Sequence, residues 1–291
     1  MFGSYWSGGA REVSIVICIH RGRQMLYKST KITKVAKIYA TVFAVAMGTT
    51  IASSPFAFAD EAFAKNRLKA MSDYMGGQQA ISFDYDSTLE VVSKENQKIG
   101  LASSGKMTLS RPDKMHGTRT GGFADIEYVF DGKTLTFLGK HVNAYTQVEA
   151  PGTIDHLIDV LRDKYHRPVP GADLLVSNIF DQLMPEVVNT KDLGAGVINA
   201  VECDHLAFRT NDVDWQIWIV QGSQPYPARY VITSPKVAGA PQYTIDVRSW
   251  KTGPAVAADA FNLQLPKEAR KVAPEDVPDA DELPSVFALK Q

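Results

Sequence analysis

The chain has 291 residues, 45% of them apolar and 22% charged, the composition of an ordinary globular protein of one or two domains. Its formal net charge of −1 hides an asymmetry. Residues 1–59 hold seven basic residues and one acid, so residues 60–291 carry 24 basic against 31 acidic side chains, a net charge of −7. That excludes a body built to lie on DNA, RNA or an anionic membrane surface.

The basic excess has the form of a targeting segment. Lys28 to Lys37 make a basic stretch, Ile38 to Ile51 an apolar one, and Ala57-Phe58-Ala59 an A-x-A cleavage site before Asp60. The apolar run is short and rich in Gly and Thr, which argues against a membrane span. The reading is export by a cleavable signal peptide, with a periplasmic mature protein starting at Asp60 and no integral membrane anchor after cleavage. Met25 would serve as an alternative start. Cleavage removes Cys18 and leaves Cys203 as the one thiol, read as a buried small hydrophobe in a strand.

Asp60 to Met75 reads as a helix with a stripe of Phe63, Leu68, Met71 and Met75, stopped by Gly76-Gly77. From Ile81 to Val91 apolar and polar residues alternate, the pattern of a strand covered on one side and wet on the other. Its length favours a strongly curved sheet. Lys98–Ser110 pairs with it, and Lys114–Thr120 follows. Ile126–Phe130 and Lys133–Leu138 flank Asp131-Gly132, a hairpin signal for a type I′ turn with positive φ at both positions. Val142–Val148 adds a strand.

The period changes at Pro151. Ile154, Leu157, Ile158, Leu161 and Tyr165 lie on one helical face, with Thr153 as N-cap. A second helix runs from Asp173 to Leu183, with Leu175, Ile179 and Leu183 on one stripe and Phe180 beside it, until Pro185 stops it. Strands return at Glu186–Leu193 and Val197–Arg209, around a turn at Gly194-Ala195-Gly196. A meander follows through Val213–Val220 and Ala228–Thr233, then Gln242–Trp250. Ala257–Leu265 resembles a turn into a final strand. The remainder is rich in Pro, Asp and Glu. The expected organisation is an N-terminal extension and signal peptide (1–59), one domain (60–272) and a flexible acidic tail (273–291). The fold class is mainly antiparallel β with inserted helices, and the helices lie together over one sheet face.

No nucleophile elbow, zincin, C-x-x-C, Walker or dinucleotide motif occurs. The histidines are scattered. Carboxylate pairs such as Asp84 with Asp86 lie in strands or turns and read as solvated faces. The chain is therefore read as a non-enzyme with no cofactor and no metal. Aromatics remain. Trp215 and Trp218 have opposite parity and face opposite sides of the sheet. One can belong to the core, and the other needs a helix or a ligand to cover it. Two readings stand for them, an ordinary filled aromatic core, or an apolar cavity between Leu157, Leu161, Leu175, Ile179 and Phe180 of the helices and Trp215 and Ile217 of the sheet.

Several runs are similar to a known family: Tyr128-Val129-Phe130-Asp131-Gly132-Lys133-Thr134-Leu135-Thr136, Ala150 to Asp155, Ala172 to Leu175, Cys203 to Arg209, Val213 to Ile219 and Gln242-Tyr243. From about Asp60 to Val272 the chain resembles the predicted periplasmic proteins of domain of unknown function 2092. That family in turn resembles the periplasmic lipoprotein carriers. The resemblance implies a strongly curved, half-open β-barrel closed by amphipathic helices, with a hollow for acyl chains. Three readings follow, in order of preference. The first is a binding or carrier protein for a lipid, lipoprotein or other apolar small molecule. The second is a sensor or interaction module whose partner is a protein, and the third a hydrolase using scattered carboxylates.

Overall fold

The structure is a computed structural model that describes residues 55–93, 95–122, 124–165, 171–256 and 261–274, with side chains from Asp60 onward. The expected targeting segment and acidic tail lie almost wholly outside the described residues. Helix α1 (Pro55–Gly77) runs through the expected cleavage point.

Twelve strands form one sheet. They are β1 (Ala80–Val92), β2 (Lys98–Ser110), β3 (Lys114–Gly121), β4 (Asp125–Phe130), β5 (Thr134–Gly139), β6 (Ala144–Glu149), β7 (Asn189–Ile198), β8 (Val201–Arg209), β9 (Asp214–Val220), β10 (Pro227–Thr233), β11 (Gln242–Thr252) and β12 (Arg270–Lys271). The spatial order is β12-β6-β5-β4-β3-β2-β1-β11-β10-β9-β8-β7. Two antiparallel meanders, β1–β6 and β7–β11, thus lie side by side and join where β1 pairs with β11. The edge strands β12 and β7 do not pair with each other, so the sheet is an open, curled half-barrel. The chain crosses from β6 to β7 through an insert holding α2 (Ile154–Asp163), a 3-10 turn (Ala172–Leu174) and α3 (Ile179–Leu183).

The long alternating strand forms as expected. In β1 Ile81, Phe83, Tyr85, Leu89 and Val91 are buried, while Asp84, Asp86 and Glu90 are half-exposed on the other face. One apolar cluster joins the inner faces of the sheet to α1, α2 and α3. Helix α1 buries Ala64, Leu68, Met71 and Met75. That spacing of i, i+4, i+7 and i+11 is one helical stripe, and it leaves Phe63 45% exposed in place of the core position expected for it. In α2 Thr153 caps as expected, accepting the His156 N–H at 3.2 Å.

Four features differ from the sequence reading. The Asp131-Gly132 hairpin forms, but only Gly132 has positive φ. The Asp131 carboxylate accepts the N–H groups of Lys133 (2.9 Å) and Thr134 (2.8 Å), so a side chain closes the turn instead of a type I′ backbone. The second predicted helix breaks into the 3-10 turn and α3. The break is held from outside: Asp155 of α2 accepts the Ser177 N–H at 3.0 Å and the Ser177 hydroxyl, and Arg111 donates to the Val176 carbonyl at 3.2 Å. The β7–β8 turn falls at Asn199-Ala200, both at positive φ (50° and 64°), and Gly194 lies in a β-bulge between Asp192 and Ala195. Residues 261–265 contain no strand. The last strand is β12; the N–H groups of Arg270 and of Val272, just after it, donate to the carbonyls of Asn143 and Tyr145 on the β6 side.

Candidate functional site

The concave face of β1–β4 and the adjoining β11 holds a partly enclosed cavity of about 100 Å³. Its floor is Phe83 and Tyr85 of β1, Met107 of β2, Arg119 of β3, Ile126 and Tyr128 of β4, and Tyr243, Ile245 and Val247 of β11. Gly171, Ala172, Leu174 and Leu175 of the insert, with Met75 of α1, form the opposite wall, and Trp250 and Pro227 close one end.

Two glycines create the floor. Gly105 is the register partner of Tyr85, and Gly117 of Tyr128. A Cβ on Gly105 would lie 2.6 Å from the Tyr85 ring and 2.0 Å from the Thr118 carbonyl oxygen; one on Gly117 would lie 2.2 Å from the Tyr128 ring. Both tyrosines therefore lie flat across glycine. The Tyr85 hydroxyl donates to the Thr118 carbonyl at 2.9 Å, and the Tyr128 ring is nearly parallel to Phe137. Rings laid flat leave space above them where upright side chains would fill it. Burial pushes the Tyr128 phenol well above its ordinary pKa, with Tyr85 adding to the rise and the Arg119 charge opposing it. The hydroxyl is a neutral donor and acceptor at any physiological pH.

The wall is pinned by polar contacts. Ser72 of α1 accepts the Phe180 N–H at 3.0 Å, and Asp155 and Arg111 hold residues 176–177. Asp173 is held in an apolar setting; burial raises its carboxyl to about 6, against a lowering by the Arg162 charge. Burial also raises the Tyr230 phenol, and the charge of Asp173 adds to it. At the closed end Trp250 stacks on Phe83 at 5.6 Å and on Tyr226 at 4.8 Å, and its indole N–H donates to the Tyr74 hydroxyl at 3.2 Å.

Of the seven residues expected to line a cavity, Leu175 does. Leu157, Ile179, Trp215 and Ile217 are buried in the apolar cluster, and Leu161 and Phe180 are half-buried against it; these six are not among the lining residues. The sequence reading missed the other fifteen lining residues, Tyr85, Met107, Arg119, Tyr128 and Trp250 among them. A signal for them existed: glycines inside two adjacent strands, Gly105 in β2 and Gly117 in β3, mark places where something approaches the backbone closely.

On the convex face a small cluster of Ile198, Cys203 and Ala228 packs with Trp218. Cys203 is a buried free thiol, and burial raises its pKa. His205 stacks on Trp218 at 3.9 Å and bonds to the Gln216 amide at 2.9 Å. Trp218 is thus covered by His205 on one side and lies 5.8 Å from the Arg229 guanidinium. Among the described residues no group of three or more His, Cys, Asp or Glu side chains could hold a metal ion, and no helix is long and apolar enough to cross a membrane.

No curated protein matches the chain in sequence. Solved structures of similar fold include the Mycobacterium tuberculosis lipoprotein LppX, at 14% identity over 68% of this chain and 100% of that one, with a TM-score of 0.44. Pseudomonas aeruginosa MucB in complex with MucA gives 14% over 69% and 61%, with a TM-score of 0.42. A LolA superfamily protein from Nitrosomonas europaea gives 10% over 69% and 97%, at 0.34. The open antiparallel half-barrel with its helical insert extends across residues 64–273, the stretch that matches the family described as predicted periplasmic protein (DUF2092), and the chain belongs to that family.

Proposed function

We propose that the protein is a periplasmic, non-catalytic binding or carrier protein for an apolar ligand, held between the concave face of β1–β4 and the insert. The observation that carries this is the glycine floor. Two matched glycine–tyrosine pairs keep open a hollow that ordinary side chains would fill. Its lining is almost wholly apolar or aromatic, so the driving force is burial of ligand surface, roughly 25 cal/mol per Å².

Size sets a condition. Pockets for drug-sized ligands run from roughly 300 to 1,000 Å³. A cavity of about 100 Å³ takes a short apolar segment. A longer chain enters as Gly171–Leu175 moves outward, with Leu161, Phe180 and the buried Leu157, Ile179, Trp215 and Ile217 framing the widened space. Export by a cleavable signal, giving a mature start at Asp60, belongs to the same reading; N-terminal sequencing of the exported protein checks it.

One observation favours a second reading, an interaction module. The β12 segment covers the β6 edge, whereas β7, along which α1 packs, has no second strand partner and bears the exposed Leu193 and Val197, the last 65% exposed, with the exposed Val188 just before it. Native mass spectrometry of protein taken from its own periplasm separates the two, together with titration of a neutral naphthylamine probe. Co-purified small apolar species and saturable probe binding support the carrier. A stoichiometric polypeptide with no probe binding supports the module and overturns the carrier.

A further inference from the structure

We infer that the cavity is the seat of the chain's own C-terminal run, Leu283 to Leu289, with Phe287 as the plug, so that an outside ligand binds by displacing it. The inference rests on the binding role proposed above and adds how that role is regulated.

The sequence supplies the plug. Residues 275–291 follow the last described residue, Pro274, and they divide in two. Glu275, Asp276, Asp279, Asp281 and Glu282 make the first part acidic, the composition of a solvated spacer. Leu283-Pro284-Ser285-Val286-Phe287-Ala288-Leu289 then follows without a charge. Leu283, Val286, Phe287 and Leu289 are large and apolar, so this run is costly to leave in water and gains from an apolar seat.

The fold delivers it. Lys271 of β12 lies opposite Tyr145 of β6, and the two strands run parallel. Across the sheet from Tyr145 the partners are Leu138, Glu127 and Thr118. One residue further along β6 the row is Thr146, Phe137, Tyr128 and Gly117, which contains the glycine floor. The chain therefore leaves β12 heading for the level of the cavity. Three strand spacings separate β12 from β4, about 14 Å. Thirteen residues lead from Pro274 to Phe287. A coil of that length spans about 18–22 Å on average and roughly 45 Å when extended, so Phe287 reaches Tyr128 without strain.

Size selects one ring. A dry apolar cavity of about 150 Å³ takes benzene, so a space of about 100 Å³ suits a single aromatic side chain better than a long acyl chain. Phe287 is the only aromatic residue in 275–291. Phe83, Tyr128 and Trp250 in the lining offer it ring contacts. The tether makes a weak contact sufficient. At an effective concentration of about 1 mM, a run whose own Kd is about 0.1 mM is docked about ten to one. An outside ligand then meets an occupied seat, and its apparent affinity falls about tenfold.

The test uses the full exported chain. Phe287→Asp removes the plug and alters nothing in the described fold. The neutral naphthylamine probe should bind it about tenfold more tightly than wild type, and Phe287→Leu should keep most of the block. A synthetic peptide of residues 281–291, added to Phe287→Asp with no ligand present, should shift the tryptophan emission back to that of wild type through Trp250. Equal probe affinity in wild type and Phe287→Asp overturns the inference and leaves the binding role standing. A peptide that leaves the emission unchanged overturns it as well. A block that grows with protein concentration overturns docking within one chain and assigns the run to a second copy. Probe binding by neither protein overturns the binding role, and the peptide's effect on emission then decides the docking alone.

Discussion

The two meanders carry the same inward alternation, yet β8–β10 of the second are filled, while β1–β4 of the first, with the adjoining β11, are hollow. On the second meander Leu206, Phe208, Trp215, Ile217, Ile219 and Tyr230 are all buried, and Trp215 lies parallel on its register partner Phe208 at 3.9 Å. Helix α1 packs along β7 and β9, and Arg67 locks it by an ion pair to Asp204 and a 2.8 Å bond to the Val220 carbonyl. On the first meander the matching rows hold Gly105 and Gly117, with rings lying down across them. Alternation therefore tells which face is covered. Whether protein or ligand does the covering depends on side-chain height at matched positions across the strands.

The largest expected effect tests the filled half. Trp215→Ala should cost about 3–5 kcal/mol, the usual loss for a large aromatic removed from a core. Leu175→Ala, on the cavity wall, should cost about 2 kcal/mol, the low end for leucine, because one side of Leu175 already faces open space. Urea unfolding of both variants gives the comparison. Equal losses of full size at both positions would mean that the hollow is packed in solution.

Next in size is a pH effect in the wall. The Asp173 carboxyl has its ordinary pKa of 3.8 in the unfolded chain and about 6 in the fold. Between those values the folded state binds more protons than the unfolded one, so stability falls as pH rises through the window. The loss is complete above about pH 6 and amounts to at most about 3 kcal/mol. Asp173→Asn should remove that slope and raise the melting temperature at pH 7.5 more than at pH 4.5. A variant as pH-sensitive as wild type across this window would place the charge elsewhere.

The hollow half can be closed by one methyl group. Gly117→Ala sets a Cβ against the Tyr128 ring, which must lift into the cavity. Strain of this kind costs about 1–3 kcal/mol. Probe binding should fall by more than that loss of stability explains, since the ring occupies the ligand's space. Unchanged probe affinity in a folded Gly117→Ala would show that the ligand lies elsewhere.

Much of the fold was legible because its signals are local. Strict alternation from Ile81 to Val91, the Asp131-Gly132 hairpin and the Thr153 cap each depend on neighbours within a few residues. The broken second helix comes instead from long-range contacts. The helix expected at Asp173–Leu183 has a good apolar stripe, yet its break is fixed by Asp155 and Arg111, which are distant in sequence. The Gly194 turn became a bulge because the Asn199-Ala200 turn sets the β7–β8 register. The site was the least legible part. Trp215 and Ile217 were expected to face ligand because the helices facing them are amphipathic, but they are buried in the apolar cluster that α1 shares. The decisive fact, that Gly105 meets Tyr85 and Gly117 meets Tyr128, is a matter of register between strands.

The smallest effect on stability reads the two halves most directly. Trp250→Phe keeps a ring to stack between Phe83 and Tyr226 and removes the indole bond to the Tyr74 hydroxyl, a loss of about 1 kcal/mol or less. Its value lies in fluorescence. Trp250 lines the cavity, whereas Trp215 is 2% exposed behind Phe208 and Tyr230, and Trp218 lies on the convex face beneath His205. An apolar ligand entering the hollow displaces water or shifts the stack at Trp250 and leaves the other two rings as they are. The wild-type emission change on titrating the ligand should therefore vanish in Trp250→Phe while probe affinity persists, and Trp215→Phe should retain the change in full. The opposite result, a response lost with Trp215 and kept without Trp250, would move the binding site to the meander that looks filled and reverse the assignment of the two halves.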